Sequence, residues 1–283
     1  MSDVTISKLN EVYAKISCDR GIAKELSEHF TFFVPGYKFM PAFKNKMWDG
    51  KIRLFNPLTC LIYAGLIPYI EKFAKERNYL LDYVDDFSCE EFSLKEAKDF
   101  IAKIKPTMQP RDYQLDAFVY AVRNRRAFML SPTSSGKSFI IYLLMRYYNA
   151  RTLIIVPTTS LVSQLASDFA DYGYSSDKLV HRIYSGQDKQ TDKPVTISTW
   201  QSIYKLPKEY FKQFDVVIGD EAHLFKAKSL ISIMSKLGSC QYRFGFTGTL
   251  DGTQTHRLVL EGLFGVVKKV TSTSELIEQK HIA

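Results

Sequence analysis

Residues 131–138 read S-P-T-S-S-G-K-S. The ending Gly136-Lys137-Ser138 matches that of the phosphate-binding loop G-x-x-x-x-G-K-[ST], although Ser131 stands where that pattern has its first glycine. The chemistry such a loop performs is anion capture. In the loop that opens at Pro132, backbone N–H groups of Thr133, Ser134, Ser135 and Gly136 and of the following helix N-terminus point at phosphate oxygens, where the helix dipole favours negative charge. Lys137 then reaches the β- and γ-phosphates, and Ser138 holds Mg²⁺ through its hydroxyl. A surface loop with a solvated lysine is the plainer reading of three letters. The context argues against it, because the β-type run "AFML" (127–130) precedes the loop and the apolar helical run "SFIIYLLMRYY" follows it.

The second half of a nucleotide site is a carboxylate pair at the end of another strand. "DVVIGDEAH" supplies an apolar strand ending in Asp220 and Glu221. Asp220 is placed to bind Mg²⁺ through water, and Glu221 to orient and activate an attacking water. Adjacent carboxylates repel, so a nearby cation gives them a reason to coexist.

The elements that must position these residues show a rhythm after residue 110. The runs "AFML", "TLIIVP" (152–157), "PVTIST" (194–199), "DVVIGD" (215–220) and "YRFGFT" (242–247) alternate with helical patterns. That alternation predicts an α/β fold, a parallel sheet with helices on both faces, and places ligands at the carboxyl ends of the strands. Every motif named here falls at such an end. Residues 1–100 mix short strand-like and helix-like runs and predict a small α+β domain. "FIAKIKPTMQPRDYQ" carries two prolines and reads as a linker over 101–110.

Composition narrows the function classes. At 283 residues with 46% hydrophobic and 24% charged, the chain can bury a sizeable core. Cys18, Cys60, Cys89 and Cys240 are scattered, which argues against a zinc site or disulfide framework and fits a reducing compartment. No secretory signal is visible, and the longest apolar run (61–70) is about half of the ~20 residues a bilayer span needs. These features predict a soluble cytoplasmic protein without a membrane partner. The net charge of +8 is uneven: residues 1–100 hold 14 Lys/Arg against 15 Asp/Glu, and 101–283 hold 24 against 15. A polyanion partner such as nucleic acid explains that balance, and a merely solvated basic surface is the alternative.

Within the first hundred residues, "YKFMPAFKNKMWDGKIRLF" (37–55) interleaves aromatics with cations. Lys38, Lys44, Lys46, Trp48, Lys51 and Arg53 suit phosphate contact plus stacking on bases. The competing reading puts Phe39, Phe43 and Phe55 in a small core with the lysines solvated at its rim. Residues 71–100 are acidic, nine acids against five bases, so this domain should be polarised.

P-T-x-x-G-K-S together with D-E-A-H after a strand resembles the superfamily 2 helicases and nucleic-acid translocases. The family usually has Ala or Gly where Ser131 stands and Gly where Ser134 stands; both serines are small, which is compatible with a working site. The resemblance extends in order along the chain. "RDYQ" (111–114) resembles the adenine-reading segment, implicating Arg111 and Gln114. "IIVPTTSLVSQ" (154–164) resembles a segment that contacts the nucleic-acid backbone, implicating Pro157, Thr158 and Thr159. "STWQS" (198–202) resembles the next such segment, implicating Thr199 and Gln201. "FTGT" (246–249) resembles the segment that couples hydrolysis to movement, here Thr247, Gly248 and Thr249, with Gly248 in place of the usual alanine, and His223 is expected to link it to the nucleotide site.

With its basic-aromatic head, the whole chain is similar to DNA helicases of the bacteriophage UvsW type. That resemblance implies a RecA-like fold over 111–283, ATP and Mg²⁺ as cofactors, and ATP-dependent unwinding or branch migration of branched DNA or RNA–DNA hybrids in recombination and repair. If the chain is phage-encoded, the compartment is the host cytoplasm. The family also implies a second RecA-like domain whose arginines complete the ATP site. No Q-x-x-G-R-x-x-R segment occurs in these 283 residues, so the expectation is an amino-terminal fragment that binds nucleotide and hydrolyses it slowly. Two alternatives stay open: the motor portion of a restriction or repair nuclease, and a non-catalytic nucleic-acid-binding module with a vestigial ATP site.

Overall fold

The computed structural model describes residues 2–184, 186–250 and 256–278. Contacts divide the chain into two units, Met1–Phe87 and Ser88–Ala283.

The first unit is built on a four-stranded mixed sheet. Its strands are β1 (Val4–Lys8), β2 (Tyr13–Cys18), β5 (Leu61–Tyr63) and β6 (Leu81–Tyr83), in the order β5-β2-β1-β6. A separate antiparallel pair, β3 (Thr31–Phe33) with β4 (Lys51–Arg53), carries the basic-aromatic segment between its strands. Alternation drives the sheet's burial: Val4, Ile6, Ala14 and Ile16 point inward. Helix Arg20–His29 is capped by Asp19, whose carboxylate accepts from the Ile22 N–H at 2.8 Å.

The second unit is a seven-stranded, all-parallel sheet. Its strands are β7 (Arg126–Leu130), β8 (Thr152–Val156), β9 (Val180–Ile183), β10 (Val195–Thr199), β11 (Val216–Gly219), β12 (Tyr242–Thr247) and β13 (Val267–Lys269). They lie in the order β13-β7-β12-β11-β8-β10-β9. The expected parallel sheet covered on both faces is present. Successive strand residues alternate between two cores. Ala127 and Met129 join the cluster containing helices Asp112–Asn124, Lys137–Tyr148 and Thr159–Asp171, whereas Phe128 stacks on Phe264.

The division differs from the expected boundary at residue 100 with a linker over 101–110. Residues 94–104 form a helix whose Ala97 and Ile101 sit in the core of the second unit, together with Phe92. The Arg123 guanidinium donates to the Phe92 carbonyl at 2.7 Å, and Arg125 pairs with Glu90 at 2.6 Å. Apolar burial therefore assigns this segment to the larger sheet despite the prolines that follow it. The sequence signal was the capping box Ser93-x-x-Glu96, in which each side chain bonds the other's backbone N–H.

Candidate functional site

The strand order decides which motifs meet. Read along the carboxyl edge, the loops after β7, β12 and β11 are neighbours, and those after β8 and β10 continue the row. The first three carry S-P-T-S-S-G-K-S, T-G-T and D-E-A-H. The last two carry P-T-T-S and the T-W-Q-S turn.

The phosphate-loop candidate is pinned at both ends. Ser131 continues the ladder by donating its N–H to the Thr247 carbonyl at 2.8 Å, and its hydroxyl lies 2.6 Å from that of Ser135. Ser134 and Gly136 both have positive φ, +69° and +74°. Gly136 caps helix Lys137–Tyr148, so the first N–H groups of that helix have no helical acceptor and remain for a ligand. A Cβ at Gly136 would lie 2.3 Å from Gln114 Nε2. Gly136→Ala is therefore expected to cost about 1–2 kcal/mol of stability from the left-handed backbone alone, and to push Gln114 off the loop. Ser134→Gly should leave the melting temperature nearly unchanged, since relief of φ strain opposes added unfolded-state entropy. Thermal melts of the two variants check this contrast.

The geometry revises the expected part played by Gln114. It is buried, its amide N–H groups donate to the carbonyls of Ser135 at 2.9 Å and Gly136 at 3.3 Å, and its Oε1 accepts from the Arg111 N–H at 2.9 Å. In this conformation the side chain braces the phosphate loop and does not present a free edge to a base. Tyr113, absent from the expected set, adds a 3.0 Å bond to the Ser135 carbonyl and receives one from Arg111 at 2.7 Å. Beside them lies a groove of about 600 Å³ lined by Arg111, Tyr113, Asp116, Val270, Thr271 and Glu275, among others.

Lys137, Asp220, Glu221 and His223 converge. The Lys137 ammonium contacts the Glu221 carboxylate directly and lies 3.7 Å from Asp220 Oδ1. Burial pushes the Lys137 pKa down and the Asp220 pKa up, and their mutual attraction opposes both shifts. Glu221 sits in the left-handed region at φ +49°, a conformation that costs a non-glycine residue energy and is met at functional sites. Its other oxygen lies 3.4 Å from His223 Nδ1 and accepts from the Gly248 N–H at 3.4 Å. His223 Nδ1 is 2.7 Å from Thr247 Oγ1, which also donates to the Thr249 carbonyl at 2.5 Å. Burial, helped by the Lys137 charge, holds the His223 pKa below its ordinary value, so the ring is neutral near pH 7. One chain of contacts thus joins Lys137, Glu221, His223 and the T-G-T segment.

The donor set fits magnesium. Ser138 supplies a hydroxyl and Asp220 a carboxylate, and Mg²⁺ is typically bound by one or two carboxylates with phosphates and water completing its shell. Among the described residues no three His, Cys, Asp or Glu side chains converge to form a protein-only cage.

Of the residues expected at nucleic acid, Thr158 and Thr159 are exposed while Pro157 is buried, and its carbonyl accepts from the Gln201 amide at 3.2 Å. The two segments therefore touch. Thr199 departs from expectation: it is buried, with its hydroxyl 2.8 Å from Ser202 Oγ, so it shapes the turn from inside and leaves Gln201 on the surface. In the first unit, Lys38, Lys44 and Lys46 are exposed around a shallow groove that also includes Phe43 and Trp48. Lys51 lies 4.9 Å over the Phe33 ring, and Arg53 is paired with Asp49. The core reading holds for Phe55 only. Phe43 is half-buried and Phe39 is 80% exposed.

Comparison with known proteins agrees with this division. Residues 3–85 match the family described as "DNA helicase UvsW, N-terminal", and residues 107–252 match "Type III restriction enzyme, res subunit". The chain is 36% identical over 285 residues to the ATP-dependent DNA helicase uvsW of Enterobacteria phage T4, covering 95% of this chain and 56% of that protein. A crystal structure of the phage T4 UvsW helicase superposes with a TM-score of 0.84 at 36% identity, covering 94% of this chain and 99% of that one. A DNA 3'-5' translocase of Sulfurisphaera tokodaii is 29% identical over 61% of this chain and 38% of its own length. The chain therefore spans about half of the curated relatives it matches. With a family match on each of the two units and a T4 relative aligned over 95% of this chain, the chain belongs to the superfamily 2 DNA helicases of the UvsW type.

Proposed function

We propose that this chain binds Mg–ATP at the loop 131–138 and forms the nucleotide-hydrolysing half of an ATP-driven DNA helicase or translocase acting on branched DNA or RNA–DNA hybrids. The observation that carries the reading is the order of loops along the sheet edge, with phosphate loop, T-G-T and D-E-A-H beside P-T-T-S and T-W-Q-S. Lys137 leaves its carboxylate partners for the phosphates, which frees Glu221 to orient and deprotonate the attacking water. Ser138 and Asp220 would hold magnesium, which when bound neutralises phosphate charge. The change at Glu221 passes through His223 to Thr247 and from there to the nucleic-acid side.

A second RecA-like domain supplying arginines belongs to the reading. Such an arginine is worth roughly 10³–10⁵ in rate in other nucleotidases, so turnover without one is slow. The work is done in the cytoplasm, that of the host if the gene is a phage's.

Lys44, Lys46 and Lys51 of the first unit take the DNA backbone. Replacing all three by alanine is expected to weaken binding of a forked DNA and to flatten its salt dependence by about 0.9 logarithmic units per lost phosphate contact. Fluorescence anisotropy across a salt series measures this. An unchanged affinity and slope would remove the head from the DNA interface.

A further inference from the structure

Two side chains beside the phosphate loop belong to none of the motifs used so far. Ser138 Oγ lies 2.7 Å from the Tyr172 hydroxyl. The Asp168 carboxylate interacts with the same hydroxyl. Asp168 and Tyr172 are four residues apart at the end of helix Thr159–Asp171, a spacing that places both on one helix face.

Their surroundings hold them there. The Tyr172 ring packs edge-on against Phe139 at 4.9 Å and against Tyr142 at 5.3 Å. Its carbonyl accepts from the Thr107 N–H at 3.3 Å and from the Tyr142 hydroxyl at 3.4 Å. The phenol oxygen is thus aimed at Ser138 by a packed aromatic cluster, which is more than a surface side chain at rest can do. Asp168 is half-buried and close enough to Asp220 for the two charges to interact.

A serine hydroxyl has one proton and two lone pairs. Contact with Tyr172 at 2.7 Å fixes the rotation of the oxygen, and the neighbouring Asp168 carboxylate favours a proton turned towards it. What remains is a lone pair with a set direction, which is what a cation ligand needs. A carboxylate behind the ligand also makes the oxygen a better donor.

We propose that Asp168 and Tyr172 are positioning residues that set the Ser138 hydroxyl for the magnesium ion of Mg–ATP, so that the magnesium dependence of nucleotide binding resides partly in the helix following the P-T-T-S segment. This rests on the reading of the site as a Mg–ATP site.

The test measures the affinity of a fluorescent ATP analogue in excess Mg²⁺ and again in EDTA, for the unaltered chain, Tyr172→Phe, Asp168→Asn and Ser138→Ala. Phenylalanine keeps the ring packing, and the EDTA affinity serves as the folding control. The expected result is that Mg²⁺ tightens binding to the unaltered chain, that this gain falls about tenfold or more in Tyr172→Phe and Asp168→Asn with their EDTA affinities unchanged, and that Ser138→Ala loses the gain whatever its EDTA affinity. The proposal is overturned if Tyr172→Phe and Asp168→Asn keep the unaltered ratio, if they lose affinity equally in both conditions, or if the unaltered chain gains nothing from Mg²⁺. Failure of the unaltered chain to bind nucleotide in either condition would overturn the Mg–ATP reading as well.

Discussion

Replacing Lys137 by alanine is expected to weaken Mg–ATP binding by roughly ten- to a hundredfold or more, because a charged hydrogen bond to phosphate is worth about 1.5–3 kcal/mol. The same change should destabilise the protein without nucleotide. Lys137 is the cation against which Asp220 and Glu221 are packed, with only 13% of its own side chain exposed. Removing one partner of a fully buried pair costs about 3–5 kcal/mol. The loss here is smaller because Glu221 keeps some exposure and Asp220 can take up a proton.

That proton sets the sign of the pH dependence. Burial raises the Asp220 pKa in the folded state, and Lys137 is the influence that lowers it. Without Lys137 the folded pKa rises further above its unfolded value. The unfolded state then binds fewer protons than the folded one, and stability falls as pH rises through the folded pKa. The deficit of Lys137→Ala relative to the unaltered chain should therefore be largest at neutral and alkaline pH and shrink on acidification. Chemical denaturation at several pH values reads this directly. A deficit that does not vary with pH would mean that Asp220 is not the group left uncompensated.

The second large effect is at Glu221. Glu221→Gln preserves size and a carbonyl oxygen able to accept from the Gly248 N–H, and removes only the charge and basicity. Loss of a positioned general base typically costs about 10²–10⁴ in rate. Single-turnover hydrolysis should fall by that factor. Nucleotide affinity should be equal or tighter, because one negative charge facing the phosphates has gone. A variant that lost binding and turnover together would instead place Glu221 in holding the loop, as its contact with Lys137 also allows.

These expectations draw on motifs that were readable as sequence, and the structure shows why they were. Loop, acidic pair and T-G-T are each a short run tied to one strand end, so local order carried them. The parallel sheet was legible for the same reason, in the alternation of β-type and helical runs. The boundary at Phe87–Ser88 was not, because whether Phe92, Ala97 and Ile101 pack on one sheet or another is decided by contacts distant in sequence. The prolines after residue 105 outweighed a capping box that was equally visible. Gln114 and Thr199 matched their motifs by type, yet their hydrogen bonds turn inward. Asp168 and Tyr172 gave only an i, i+4 spacing, common on any helix, until the fold brought Ser138 to them. In the head, an alternation of aromatics and lysines could not say which ring is core, and Phe55 and Phe39 lie at opposite extremes of burial.

The central claim is that one sheet edge joins nucleotide and nucleic-acid chemistry. The measurement that tests it most directly is the rate of ATP hydrolysis by this chain with and without a branched DNA, with Glu221→Gln measured in parallel. The account predicts slow turnover that rises when DNA is added and disappears in Glu221→Gln. Turnover indifferent to DNA, or surviving the loss of Glu221, would contradict it.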